Sequence, residues 1–100
     1  MATDQQYLEY ILEQLSDLSE IKYRSMIGEY IIYYKDKIIG GLYDNCFLLK
    51  PADYLLNLLK NPEMVRPYNG PKEMLLIEDT ENKELINKLI ISIYSELYEK

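Results

Sequence analysis

The sequence has no histidine and no tryptophan, a single cysteine, a single phenylalanine, and only four glycines and four prolines in 100 residues. Without histidine there is no Ser-His or Cys-His nucleophilic pair and no Cys/His zinc site. The lone Cys46 excludes an intrachain disulfide and reads as a small packed residue rather than a reactive thiol. Gly40-Gly41 runs into Leu-Tyr-Asp, which is neither a P-loop nor a dinucleotide spacing. No apolar run approaches about 18 residues, so no membrane span is expected. The opening MATDQQYLEY has no basic region followed by an apolar stretch, which makes the cytoplasm the expected compartment. Positive charge is also in short supply: the net charge of −6 argues against direct nucleic-acid binding, because phosphate neutralisation by Lys and Arg supplies most non-specific affinity. Carboxylates adjacent in sequence, Glu78 with Asp79 and Asp17 near Glu20, sit where elements end and read as caps and solvated charges. Catalytic, cofactor-binding and metal-binding residues are therefore expected to be absent.

What is abundant is apolar and aromatic surface. Hydrophobic residues make up 48% of the chain and eleven are tyrosines. A chain of this length removes roughly 60–70% of its unfolded surface from water, so residues 1–100 are read as one domain. Eleven tyrosines beside many Ile, Lys and Asn match the codon bias of an AT-rich genome more readily than a tyrosine-based surface.

Residues 22–50 form the one continuous β signal. β-branched and aromatic residues fill it, and turn chemistry interrupts it at Gly28, at Lys35-Asp36-Lys37 and at Asp44-Asn45. The spacing predicts one long strand over 21–35, interrupted or bulged at Gly28, then strands over 37–43 and 46–49. Gly40-Gly41 would weaken the second strand unless another backbone or a bulky side chain approaches there. Thr3 and Gln6 have capping-box spacing, and Leu8, Ile11, Leu12, Leu15 and Leu18 recur at helical period up to about residue 18. Pro51 opens a second helix over 52–60, apolar at Leu55, Leu56, Leu58 and Leu59. A short strand near 65–68 and a central strand over 74–77 follow. Asp79 or Thr80 caps a last helix over 81–98. The expected fold is α+β, a two-layer α-β(3)-α-β(2)-α arrangement with one antiparallel sheet and the helices on one face.

Several spacings resemble the N-terminal domain of the TfoX/Sxy competence regulators. In that family a basic residue, Met, an apolar residue and Gly open a strand; here these are Arg24, Met26, Ile27 and Gly28, followed by Tyr30. Asp36 and Lys37 match the next turn, and Gly41, Asp44, Leu48 and Lys50 match the strand and close that follow. The segment Pro67-Tyr68-Asn69-Gly70-Pro71-Lys72 with Met74 is similar to the Y-x-G-x-K turn of short stand-alone members. The sequence departs from the pattern at Ile27 (usually Phe), at Ile31 (commonly Gly) and in the missing Gly beside Asp36-Lys37. The resemblance implies a secretion-chaperone-like topology. It also implies a role as a coactivator-type regulator that contacts a protein partner, such as a transcription regulator.

The expected function is therefore a regulatory, non-enzymatic protein-interaction module. The alternative is a small-molecule or peptide-binding domain that uses a tyrosine-rich open sheet face. The candidate surface comprises Arg24, Met26, Gly28, Tyr30, Tyr33, Tyr68, Gly70 and Lys72, with Arg24 and Lys72 proposed to share an edge. Residues 30–34 and 74–77 are apolar on both strand faces, more than one layer of helices covers, and a twofold homodimer is expected.

Overall fold

A computed structural model describes residues 3–58, 62–66 and 72–99 of the chain. Its order is α1 (Gln5–Gln14), β1 (Ile21–Met26), β2 (Glu29–Tyr34), β3 (Lys37–Tyr43), β4 (Cys46–Leu49), α2 (Asp53–Leu58), β5 (Glu63–Val65), β6 (Met74–Ile77) and α3 (Lys83–Tyr98). The six strands form one antiparallel sheet in the order β1-β2-β3-β4-β6-β5. The α+β class and antiparallel sheet follow the expectation. The strand count does not: the segment expected as three strands contains four.

The extra strand arises because residues 27 and 28 turn the chain fully round. Ile27 and Gly28 both have positive φ, 49° and 81°, and Met26 faces Glu29 across the turn. A two-residue turn with both central φ positive is the type I′ class, whose twist matches that of the flanking strands. The pairs Lys35-Asp36 and Asp44-Asn45 repeat the same device, each with positive φ at both positions. Three such turns in succession make a tight meander with no spare loop. The bulge expected at Gly28 is instead on β3, where the register shifts between Ile32 and Tyr33.

Alternation sorts the side chains. Ile32, Leu42, Phe47, Leu49, Leu75 and Ile77 point to one face and join Leu8, Ile11 and Leu15 of α1 and Ile86, Leu89, Ile90 and Ile93 of α3 in a single core. All are buried. Of the leucines expected to bury α2, Leu56 packs against this core, while the side chains of Leu55, Leu58 and Leu59 lie outside the described residues. The strand expected over 65–68 falls earlier, as β5 at Glu63–Val65, and residues 67 and 68 lie outside the described residues. Among the described residues no helix is long and apolar enough to cross a membrane.

Gly40 and Gly41 are explained by close approach. A β-carbon on Gly40 would stand 2.2 Å from the Leu48 carbonyl oxygen and 2.9 Å from Leu49 Cα, and one on Gly41 would meet the Tyr43 ring at 2.8 Å. Both the backbone and the bulky side chain anticipated there are present.

The ends of the meander are tied to the N-terminus by a buried carboxylate. Glu29, 1% exposed, accepts hydrogen bonds from Thr3 Oγ1 at 2.5 Å and from the Asp44 N–H at 3.1 Å. Thr3 N–H donates to the Gly28 carbonyl, Asn45 N–H to Thr3 Oγ1, and Asp4 N–H to Asn45 Oδ1. Thr3 therefore does not form the expected capping box with Gln6. Asp4 occupies the N-cap position of α1 without a side-chain bond, and α1 ends at Gln14, earlier than residue 18. At α3 the cap is Asn82, whose side chain accepts from Leu85 N–H at 3.1 Å, rather than Asp79 or Thr80.

Two substitutions test these constraints. Glu29→Ala leaves the Asp44 N–H and Thr3 hydroxyl without their charged acceptor and is expected to cost about 2–3 kcal/mol in urea unfolding. Gly40→Ala drives a methyl into a backbone that cannot yield, with a loss of at least about 2 kcal/mol. A variant that melts with the parent in either case removes the corresponding constraint.

Candidate interaction surface

The face of the sheet away from the helices is the place to look for function. One row of partners crosses all six strands there: Arg24, Ile31, Gly41, Leu48, Leu76 and Glu63. A second row runs Lys22, Tyr33, Ile38. The middle of the face is apolar and its two margins are charged, positive on β1 and negative on β5. Leu48 is buried to 2% without belonging to the helix-side core. The Tyr43 ring folds over neighbouring Gly41. Burial, with a smaller contribution from the Glu29 carboxylate, raises the Tyr43 phenol above its ordinary value, so it remains a neutral hydroxyl.

The most exposed apolar group is at the β1–β2 turn. Ile27 is 95% exposed and Met26, beside it, 44% exposed. A β-branched residue with positive φ is disfavoured by its own backbone, at about 1–2 kcal/mol. The Ile27 side chain recovers no burial to offset this.

The candidate residues distribute unevenly. Arg24, Met26 and Tyr33 share the open face, and Gly28 completes the adjoining turn. Tyr30 does not join them: it lies on the helix side, packed against the core, its ring edge-on to Tyr23 with centroids 5.9 Å apart. Lys72 precedes β6, four strand positions from β1, so it sits about 19 Å across the sheet from Arg24 and the two do not share an edge. Tyr68 and Gly70 lie outside the described residues. Cys46, expected to be packed, is exposed, because its register opposite Tyr43 turns it to the open face.

Sequence reasoning missed Lys22 and Tyr23 as site residues. With Arg24, Tyr33 and Asp36 they line a shallow hollow of about 280 Å³. Lys22 pairs with Asp36 at 3.0 Å, both well exposed, while Arg24 has no ion-pair or hydrogen-bond partner among the described residues. The signal was present as two cations at alternate positions of one strand.

Other features have structural explanations. Lys35 sits 5.4 Å and 5.3 Å from the centroids of the Tyr34 and Tyr94 rings, and Lys50 Nζ donates to the Tyr98 hydroxyl at 3.0 Å. The Tyr98 hydroxyl in turn donates to the Ile38 carbonyl at 2.7 Å, so these contacts tie the end of α3 to the sheet. A hollow of about 400 Å³ beside α3 is lined by Ile91, Ser92, Ser95 and Glu96, and there Glu96 accepts the Asp53 N–H at 2.7 Å, tying α2 to α3. Among the described residues no group of three or more Cys, Asp or Glu is arranged to hold a metal ion.

Comparison with known proteins yields no matching family model and no matching solved structure. A relative does match among curated proteins: an uncharacterized 12.7 kDa protein in the trpE 5′ region of Spirochaeta aurantia, 37% identical over 79 residues. The aligned part is 79% of this chain and 69% of the relative. The chain belongs to the family of this spirochaete protein.

Proposed function

We propose that this chain is a regulatory protein-interaction module without enzymatic activity, akin to the N-terminal domain of the TfoX/Sxy regulators, and that it docks through the open face of its sheet. The observation that carries the reading is an apolar face flanked by a turn that holds Ile27 fully in solvent at a conformational cost. Local features that contradict backbone preference without a compensating contact are those retained for function. The α+β class and the single antiparallel sheet support the reading at that coarse level, while the meander has four strands where the resemblance implies three.

The simplest occupant is a second copy. Twofold closure covers an apolar face without open-ended polymerisation, and about 800 Å² per subunit is a standard stable interface. Sedimentation at about 20 micromolar is expected to give twice the chain mass of 11.9 kDa. A single species at 11.9 kDa overturns the dimer and leaves the face to a different protein. Ile27→Asn provides an independent check, because Asn is preferred at the first position of a type I′ turn. It should stabilise the monomer by about 1 kcal/mol, a Tm rise of about 4–8 °C, while weakening association. Unchanged association would remove the turn from the interface. Stabilisation by a metabolite in a thermal-shift screen would favour the small-molecule reading instead.

A further inference from the structure

β1 is a sheet edge six residues long, exposed at every position but Ile21. Its hydrogen-bonding phase follows from the turn. Met26 and Glu29 close a two-residue hairpin, which makes them a narrow hydrogen-bonded pair; Arg24–Ile31 and Lys22–Tyr33 follow at alternate positions. The Lys35 N–H to Glu20 carbonyl bond, 3.1 Å, continues the same phase one pair further. The N–H and C=O groups of Ile21, Tyr23 and Ser25 therefore point away from β2, and no partner holds them among the described residues. Such a row of open donors and acceptors is a template for another strand.

The side chains of β1 select which strand. Lys22 and Arg24 project to the open face at alternate positions, and Tyr23 projects to the other, 51% exposed and braced edge-on by Tyr30. Residues opposite Lys22 and Arg24 in an added strand fall at non-hydrogen-bonded positions, where facing side chains approach most closely. Carboxylates there would meet Arg24, which has no ion-pair partner among the described residues, and Lys22, whose partner among the described residues is exposed Asp36 in a weak surface pair. The residue between them would lie against the Tyr23 ring. A second copy of β1 is the wrong partner: twofold pairing sets Arg24 against its own copy, or Lys22 against Arg24, and like charges directly opposite are destabilising.

We propose that β1 is a docking edge that adds an extended segment of a partner protein bearing acidic side chains at alternate positions with an apolar residue between them. The acidic groups meet Lys22 and Arg24 in the hollow beside Tyr33. This rests on the interaction-module reading but uses the edge rather than the open face. A dimer formed or lost in sedimentation therefore does not decide it.

The test is an NMR titration of the 15N-labelled full chain with three capped hexapeptides: alternating Glu and Val, alternating Lys and Val, and the Glu-Val peptide N-methylated at alternate residues. The expected result is shifts concentrated on residues 21–26 with the Glu-Val peptide, and slowed exchange of the Tyr23 and Ser25 amides. The Lys-Val and N-methylated peptides should bind about tenfold or more weakly, the loss expected for a charge-assisted contact or paired backbone groups. Arg24→Glu, an exposed substitution that leaves the core untouched, should reverse the preference between the Glu and Lys peptides. Shifts absent at millimolar peptide, or centred on Ile31 and Leu76 instead of β1, overturn the proposal. Equal binding of the Glu and Lys peptides, or no loss on N-methylation, overturns it as well, and neither result touches the open-face reading.

Discussion

The Glu29 carboxylate fixes the relation between the N-terminus, the first turn and the third turn. It is buried at the start of β2, where an unpaired charge would be prohibitively costly, and hydroxyl and backbone donors from two distant segments converge on it. Thr3 is held twice, through its N–H to the Gly28 carbonyl and through its hydroxyl between Glu29 and Asn45. Once these segments are locked, α1 has to enter over the edge of the sheet nearest these turns, and its apolar stripe at Leu8, Ile11 and Leu15 lands on the core. The clasp thus gives α1 its position, and hydrophobic burial gives it its stability.

The same clasp bears on the exposed Ile27. A type I′ turn costs little with Asp-Asn, whose short polar side chains tolerate positive φ, and Asn45 also bonds to Asp4. Lys35, at the second turn, spreads its ammonium over two tyrosine rings. Ile27 has neither form of compensation. What holds its backbone in place is the pairing of β1 with β2 on one side and the Thr3 bond to Gly28 on the other. A conformation over-determined by its surroundings can carry a side chain chosen for contact rather than for fit.

Much of this architecture was legible in the sequence. The bounds of β3, β4 and β6 follow from apolar runs ended by turn residues, and the close approach at Gly40-Gly41 follows from two glycines in the middle of a strand. The fourth strand was hidden because a β-branched residue argues against a tight turn, so Gly28 by itself suggested a bulge. The capping box failed for a different reason: Thr3 finds partners 26 and 42 residues away, a competition that local spacing does not express. The separation of Arg24 from Lys72 is hidden because chain order does not give strand order; α2 carries the chain past β4, and β6 inserts between β4 and β5. Tyr30 and Tyr33 share a residue type but not a face, because three residues apart on a strand means opposite faces.

The charge pattern across the sheet is what the two proposed docking surfaces rest on. Apolar residues occupy the centre of the open face, where a planar partner buries the most area, while the cations stand at the β1 margin and Glu63 at the β5 margin. A cation in the centre would be desolvated by any docking event and would oppose it; on the rim it stays wet and costs little. On an edge strand the same cations block pairing with an identical edge, and they leave the main-chain groups between them open to a strand of opposite charge. In the proposed docking, Lys22 and Arg24 would serve both as protection against self-pairing and as a basis for selection. Both roles follow from two positive side chains at alternate positions on one strand of a chain whose net charge is negative.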